Sequence, residues 1–138
     1  MNAKEYLSQV KYLEQAITYK MREIEYWKNM AENLSSHGLE EHFNPNRPQE
    51  ASFTHCFEMI DEITHDIEER TAQLISLRKD IDYRISLLNS IEEQMVLHYR
   101  YLEKMNWNQI ERIMNRCRSA IFRIHGQALA KLSVPDEK

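Results

Sequence analysis

Apolar residues in the first quarter of the chain keep a heptad rhythm. Val10, Ile17, Ile24 and Ala31 fall on one position, and Tyr6, Leu13, Lys20, Trp27 and Leu34 fall on its partner. This alternating three-and-four spacing predicts a helix from about Lys4 to Leu34 with one apolar seam, interrupted only by Lys20, whose aliphatic stem can lie along it. "SSHG" then predicts a stop, with Gly38 in the left-handed cap conformation. The following "LEEHFNPNRPQEA" has two prolines, two asparagines and no periodicity, which predicts a loop. The heptad resumes in Ile60, Ile63, Ile67, Leu74, Leu77, Ile81 and Leu88, with Arg70 and Arg84 as polar interruptions and Ile85 beside the seam. A second, longer helix from about Ser52 to Leu88 is expected, folding back on the first as an antiparallel, coiled-coil-like hairpin. Its surplus length needs a further partner, either a second subunit or the C-terminal part of the chain.

That C-terminal part reads as three shorter helices. Ser90 followed by Glu93 has the spacing of a capping box, and Met95, Val96, Tyr99 and Leu102 mark a helix from Ile91 that ends near Lys104. Asn106 and Gln109 repeat the box ahead of a short helix, Trp107 to Met114, with Trp107, Ile110 and Met114 on one face. After the turn "NRC" a helix from Arg118 to about Leu132 turns Ile121, Ile124, Ala128 and Leu132 inward. A helix, a short helix, a tight turn and a longer helix is the outline of a helix-turn-helix. The fold class expected is therefore all-α, with a helical hairpin over residues 1–89, a helix-turn-helix over 90–133 and a tail at 134–138.

Composition agrees with helix and excludes several functions. Two glycines and three prolines in 138 residues leave few turn-formers for sheet hairpins. No apolar run approaches bilayer length, and the start lacks a signal-peptide pattern, so a cytoplasmic protein with free thiols at Cys56 and Cys117 is expected, with no membrane partner. "EITH" puts Glu62 and His65 at the Glu-x-x-His spacing of di-iron bundles, near His37, His42, His55 and Cys56. Such sites need the motif twice with further carboxylates, so these residues read as a solvated face, and no metal and no cofactor is expected. The acid pairs Glu68–Glu69 and Glu92–Glu93 lie on helix surfaces without a pocket, and neither cysteine has a catalytic companion, so no enzymatic activity and no catalytic residue is expected.

Charge is what distinguishes the C-terminal part. The net charge is −4, yet residues 92–132 hold seven lysines and arginines against four acids, while residues 1–91 hold ten against sixteen. "RIMNRCRSAIFRIH" alone, residues 112–125, carries four arginines and no acid. An acidic body with a basic module predicts that the module meets a polyanion. With the apolar stripe packed inward, Arg118, Ser119, Phe122 and Arg123 project from the start of the last helix, where a recognition helix reaches base edges in the major groove. Arg118 or Arg123 offers a planar fork to guanine, Phe122 an apolar contact to a thymine methyl, and Ser119 a hydroxyl. Arg112, Arg116 and Lys131 suit phosphate contacts that orient without reading sequence. Trp27 and Trp107 sit at seam positions and read as core. His125 fits either a phosphate contact or the edge of the core.

The segment "QMVLHYRYLEKMNWNQIERIMNRCRSAIFRIHGQALAKL" resembles the last conserved region of sigma-70-type factors, which recognises an upstream promoter element. The shared frame is the Arg100–Tyr101 pair, the Trp107-x-x-Ile110 scaffold helix, and the closing Ala128, Leu129, Lys131 and Leu132. Over nearly its full length the chain also resembles the ArpU/RinA-like regulators of bacteriophages of Gram-positive bacteria. "KEYLSQVKYLEQAITYKMREIEYWKNM" at Lys4 to Met30, the second helix and "FRIH" at Phe122 to His125 carry that likeness. The resemblance implies a phage or prophage transcriptional regulator acting on late, packaging or related genes, whose promoter-reading positions fall on Arg118, Ser119, Phe122 and Arg123. It departs from the family at Cys117, where Ser or Thr is usual as the cap of the recognition helix. Either that helix start is weakly capped, or Ser119 caps it and is less free to read DNA.

The expectation is thus a DNA-binding transcriptional regulator in the cytoplasm of a bacterial host, associated with the nucleoid. Its partners would be double-stranded promoter or operator DNA, RNA polymerase as a second candidate, and a further copy of itself, because a two-helix hairpin buries little alone. Two alternatives stand beside it: a small DNA-recognition subunit of a packaging terminase, and a polymerase-binding module without DNA affinity of its own.

Overall fold

The structure is a computed structural model that describes residues 1–40 and 49–135, with side chains described for 1–35 and 51–135. The chain is all-α. Helix α1 spans Ala3–Glu40, α2 Gln49–Ser86, α3 Ile91–Leu97, α4 Trp107–Met114 and α5 Arg118–Lys131. The first two are equal in length, 38 residues each, so α2 has no surplus over α1. The difference arises because α1 runs through Gly38 instead of stopping there. A glycine inside a helix costs only about 1 kcal/mol against alanine, which flanking helix can absorb. The predicted loop shortens at both ends, and residues 41–48 lie outside the described residues, with His42 among them; the side chain of His37 lies outside them too.

Packing groups the chain into two compact units, Met1–Glu14 with Gln73–Lys138, and Gln15–Ala72. The pattern boundary at 89/90 falls inside the first unit. In the second unit α1 and α2 run antiparallel, with Lys20 Nζ 3.7 Å from Asp66 and Trp27 edge-on to His55. The polar breaks in the two seams therefore face each other: Asp66 takes Lys20 and also Arg70, at 3.2 Å. His65 lies exposed beside Glu68 and Glu69, while Cys56 is buried.

The first unit holds two apolar clusters. One joins Tyr6, Leu7 and Val10 of α1, Ile81 and Ile85 at the end of α2 and Leu88 just after it to Leu97, Leu102, Ala128 and Leu132. The C-terminal part is thus one partner of the end of α2, and Ile85 belongs to the core rather than beside it. The other cluster is the centre of the helix-turn-helix: Val96, Ile110, Ile121 and Ile124, with Tyr99, Met105, Trp107 and Met114 at its margin. The inward stripe of α5 is buried as its spacing predicts, but it is shared, Ile121 and Ile124 facing one cluster and Ala128 and Leu132 the other. Ile110 and Ile121 have no exposed surface, and truncating either to alanine should cost about 2–5 kcal/mol.

Polar contacts fix this unit. Tyr6 donates to Asp80, which also accepts from Arg84 Nε at 2.7 Å, and Arg84 reaches Ser133 Oγ at 3.1 Å. Glu14 pairs with Arg78 and Lys104, and Arg78 also donates to the Leu102 carbonyl at 3.2 Å. The expected helix from Ile91 to Lys104 changes form on the way. It is α-helical to Leu97 and π-helical from His98 to Leu102, and it ends with Lys104 in the left-handed region at φ 56°. The Met105 amide donating to the Tyr99 carbonyl at 2.9 Å closes that end.

Candidate nucleic-acid interface

The turn of the helix-turn-helix is set by local chemistry. Asn106 accepts from the Gln109 amide and Gln109 returns a carbonyl to the Asn106 amide, both at 2.9 Å, a complete capping box for α4. At the other end Asn115 adopts φ 53°, ψ 47°, and the amides of Asn115 and Arg116 both point to the Glu111 carbonyl. Asparagine tolerates that conformation better than other residues with a Cβ, which is why the helix stops here. At α3 the box is only half made. Ser90 accepts from the Glu93 amide at 3.3 Å, but the Glu93 side chain does not turn back to Ser90; it is buried and accepts from Lys131 Nζ at 2.9 Å.

Cys117 occupies the cap position of α5 with extended backbone, and its side chain makes no capping hydrogen bond. Ser119 does not cap in its stead: its hydroxyl lies 3.4 Å from the Cys117 sulfur. The Ser119 hydroxyl, and then the Ala120 amide, draw the thiol pKa below its ordinary value, which is the direction expected at a helix start.

The four positions assigned to base reading all lie exposed on the first turns of α5. They differ in freedom. Arg118 is held by α4, donating to Asn108 and, at 3.1 Å, to Glu111. Phe122 keeps 47% of its surface exposed while its ring packs edge-on against Trp107, centroids 5.0 Å apart. Arg123 is an exposed guanidinium with no partner among the described residues.

The positions assigned to phosphate divide in the same way. Arg112 is exposed and unpaired among the described residues. Arg116 donates to Glu92 at 2.7 Å, both ends partly in solvent. Lys131 is different in kind, because its carboxylate partner Glu93 is only 4% exposed. An exposed pair is worth about 0–1 kcal/mol and exchanges readily for a phosphate, whereas a cation covering a buried carboxylate does not leave cheaply.

His125 resolves to the edge of the core. It stacks on Tyr101, shares a 2.8 Å hydrogen bond with the Tyr101 hydroxyl, and meets Trp107 edge-on. Burial, and then the charges of Lys4 and Arg100, hold its pKa below the usual histidine range. Trp107 is the hub of this margin, with the Arg100 guanidinium 4.4 Å above its ring. Sequence reasoning gave Arg100 only a place in a motif and Lys4 none, because neither role shows until distant segments meet.

No helix among the described residues is long and apolar enough to cross a membrane. No curated protein and no solved structure matches the chain. A family model does match, over residues 55–133, which takes in most of α2 and the whole three-helix module. The chain belongs to the family described as "Protein of unknown function (DUF1492)".

Proposed function

We propose that this chain is a sequence-specific DNA-binding transcriptional regulator of the phage or prophage type, acting on late or packaging genes. In this reading α5 enters the major groove. The observation that carries it is the tri-helical α3–α4–α5 unit, whose capped turn presents the basic, exposed first two turns of α5 with Arg123 unpaired among the described residues. The likeness to the promoter-reading region of sigma factors points the same way. Arg118 and Arg123 read bases, and Arg112 and Arg116 hold phosphates, the paired arginines exchanging carboxylate for DNA on binding. Lys131 drops out of the phosphate set, because its charge serves Glu93.

Tyr19 and Tyr26 are exposed seven residues apart on α1 in the second unit. Two large aromatic rings left uncovered there support self-association through this part of α1 with a second copy of the chain.

The test is selection of bound duplexes from a random library at low salt, followed by binding to the selected site as salt is raised. Two arginines on phosphates give a slope of log affinity against log salt of about −2. Arg123→Ala should lose about 1–3 kcal/mol of discrimination between the selected site and random DNA, while Arg112→Ala should weaken both evenly. A library that enriches nothing, beside a chain that captures RNA polymerase, would overturn the reading in favour of a polymerase-binding module.

A further inference from the structure

The first compact unit contains a cleft of about 330 Å³ that the DNA reading does not use. Its walls come from three places in the sequence: the first turns of α1, the π-helical turn that follows α3 with the residues up to the start of α4, and the middle of α5. Four of the lining residues are cations, Lys4, Lys11, Arg100 and Lys104, and none is an acid. Lys4 and Lys11 have no partner among the described residues, and Lys104 alone is offset, by Glu14. Arg100 is held over the Trp107 ring and donates to the Met105 carbonyl at 3.1 Å, which leaves other N–H groups of its fork unused. The Ser8 and Tyr101 hydroxyls complete the polar lining.

We propose that this cleft binds a small ligand through a di- or triphosphate group, with Lys4, Lys11 and Arg100 as its principal contacts. Two lysines seven residues apart on one helix stand about 10 Å apart along the axis, and flexible stems let both ammonium groups close on one extended polyanion. Arg100 supplies the planar fork suited to phosphate oxygens. A cleft of this size falls at the lower end of those that hold small molecules. The π-helical turn, a form that recurs at functional sites, puts Arg100 and Tyr101 on this wall. One titrating group on this wall reports the potential: burial, and then the charges of Lys4 and Arg100, push His125 toward its neutral form, while burial keeps the Tyr101 hydroxyl protonated against the pull of Arg100. The inference does not rest on DNA binding.

The test uses the full chain and inorganic pyrophosphate and tripolyphosphate as probes, with sodium chloride at matched ionic strength as the reference. Calorimetry should show one saturable site with Kd below about 1 mM. The NMR titration of the His125 imidazole should move to higher pH on saturation, because the bound anion offsets the two cations. The double variant Lys4→Gln/Lys11→Gln, at exposed positions, should weaken binding by about tenfold or more, while Lys79→Gln on α2 should leave it unchanged. A linear response no larger than that of sodium chloride would overturn the proposal, as would wild-type affinity in the double variant. Loss of DNA affinity in that variant without saturable pyrophosphate binding would also overturn it, assigning the lysines to the DNA backbone.

Discussion

Lys131→Met separates the two roles its position suggests, a contact to DNA phosphate and a cover for a buried acid. Its ammonium is the one partner of the Glu93 carboxylate among the described residues: Oε1 accepts it at 2.9 Å, and Oε2 has none there. The Glu93 side chain is 5% exposed and that of Lys131 61%, so the variant leaves a carboxylate out of water with both oxygens unpaired. Breaking a fully buried pair costs about 3–5 kcal/mol and an exposed one about 0–1 kcal/mol. With one end buried and the other wet, a loss of about 2–3 kcal/mol is expected, a large share of the roughly 5–15 kcal/mol that stabilises an ordinary domain. Urea unfolding reads it as a lower midpoint at unchanged slope. Adding Glu93→Leu should restore most of the loss, since an apolar pair of similar volume replaces a buried ion pair at little cost. The salt dependence of DNA binding should not change. A Lys131→Met chain within about 0.5 kcal/mol of wild type, with a salt slope shallower by about one, would refute the reasoning and return Lys131 to the phosphate set.

Three further outcomes follow from the same contacts. Cys117→Ser should stabilise the chain by about 0.5–1 kcal/mol in thermal unfolding, since the cap position has the right backbone and only lacks a good acceptor; an unchanged midpoint would mean that the sulfur already serves. Glu111→Gln, which removes the carboxylate partner of Arg118 and leaves it only neutral contacts, should tighten binding to the selected duplex by up to about fivefold, and weaker binding would show that Glu111 positions Arg118 productively. The folded pKa of His125 lies below its unfolded value, so the unfolded chain takes up the proton first and stability falls as pH drops below the ordinary histidine range. His125→Gln should flatten that acid-side fall in urea midpoints, and an identical pH profile would remove His125 as its source.

The boundaries of α4 and α5 were legible because their signals are local. Asn106 and Gln109 are three residues apart, Asn115 tolerates the left-handed turn by its own chemistry, and the stripe from Ile121 to Leu132 needs only helical periodicity. What was not legible depends on segments meeting across the fold. Ser90 and Glu93 have the spacing of a capping box, yet Glu93 is drawn away by Lys131, 38 residues on, because a carboxylate in the core gains more from a full charge than from one amide. The same holds for the arginine cluster. Periodicity places Arg118 and Arg123 on one face, but only the packing of α4 against α5 shows that Asn108 and Glu111 hold the first and leave the second free. Net charge therefore overstates the cations at hand for a polyanion on the helix-turn-helix, where one lysine and two arginines already have acid partners. It also hides those gathered at the cleft, where Lys4 and Lys11 lie in the acidic half of the sequence. Counting positive charge along a chain locates a polyanion site only when the nearest carboxylate is local as well. Here the decisive carboxylates, Glu14, Glu92 and Glu93, lie 24 to 90 residues from the cations they neutralise.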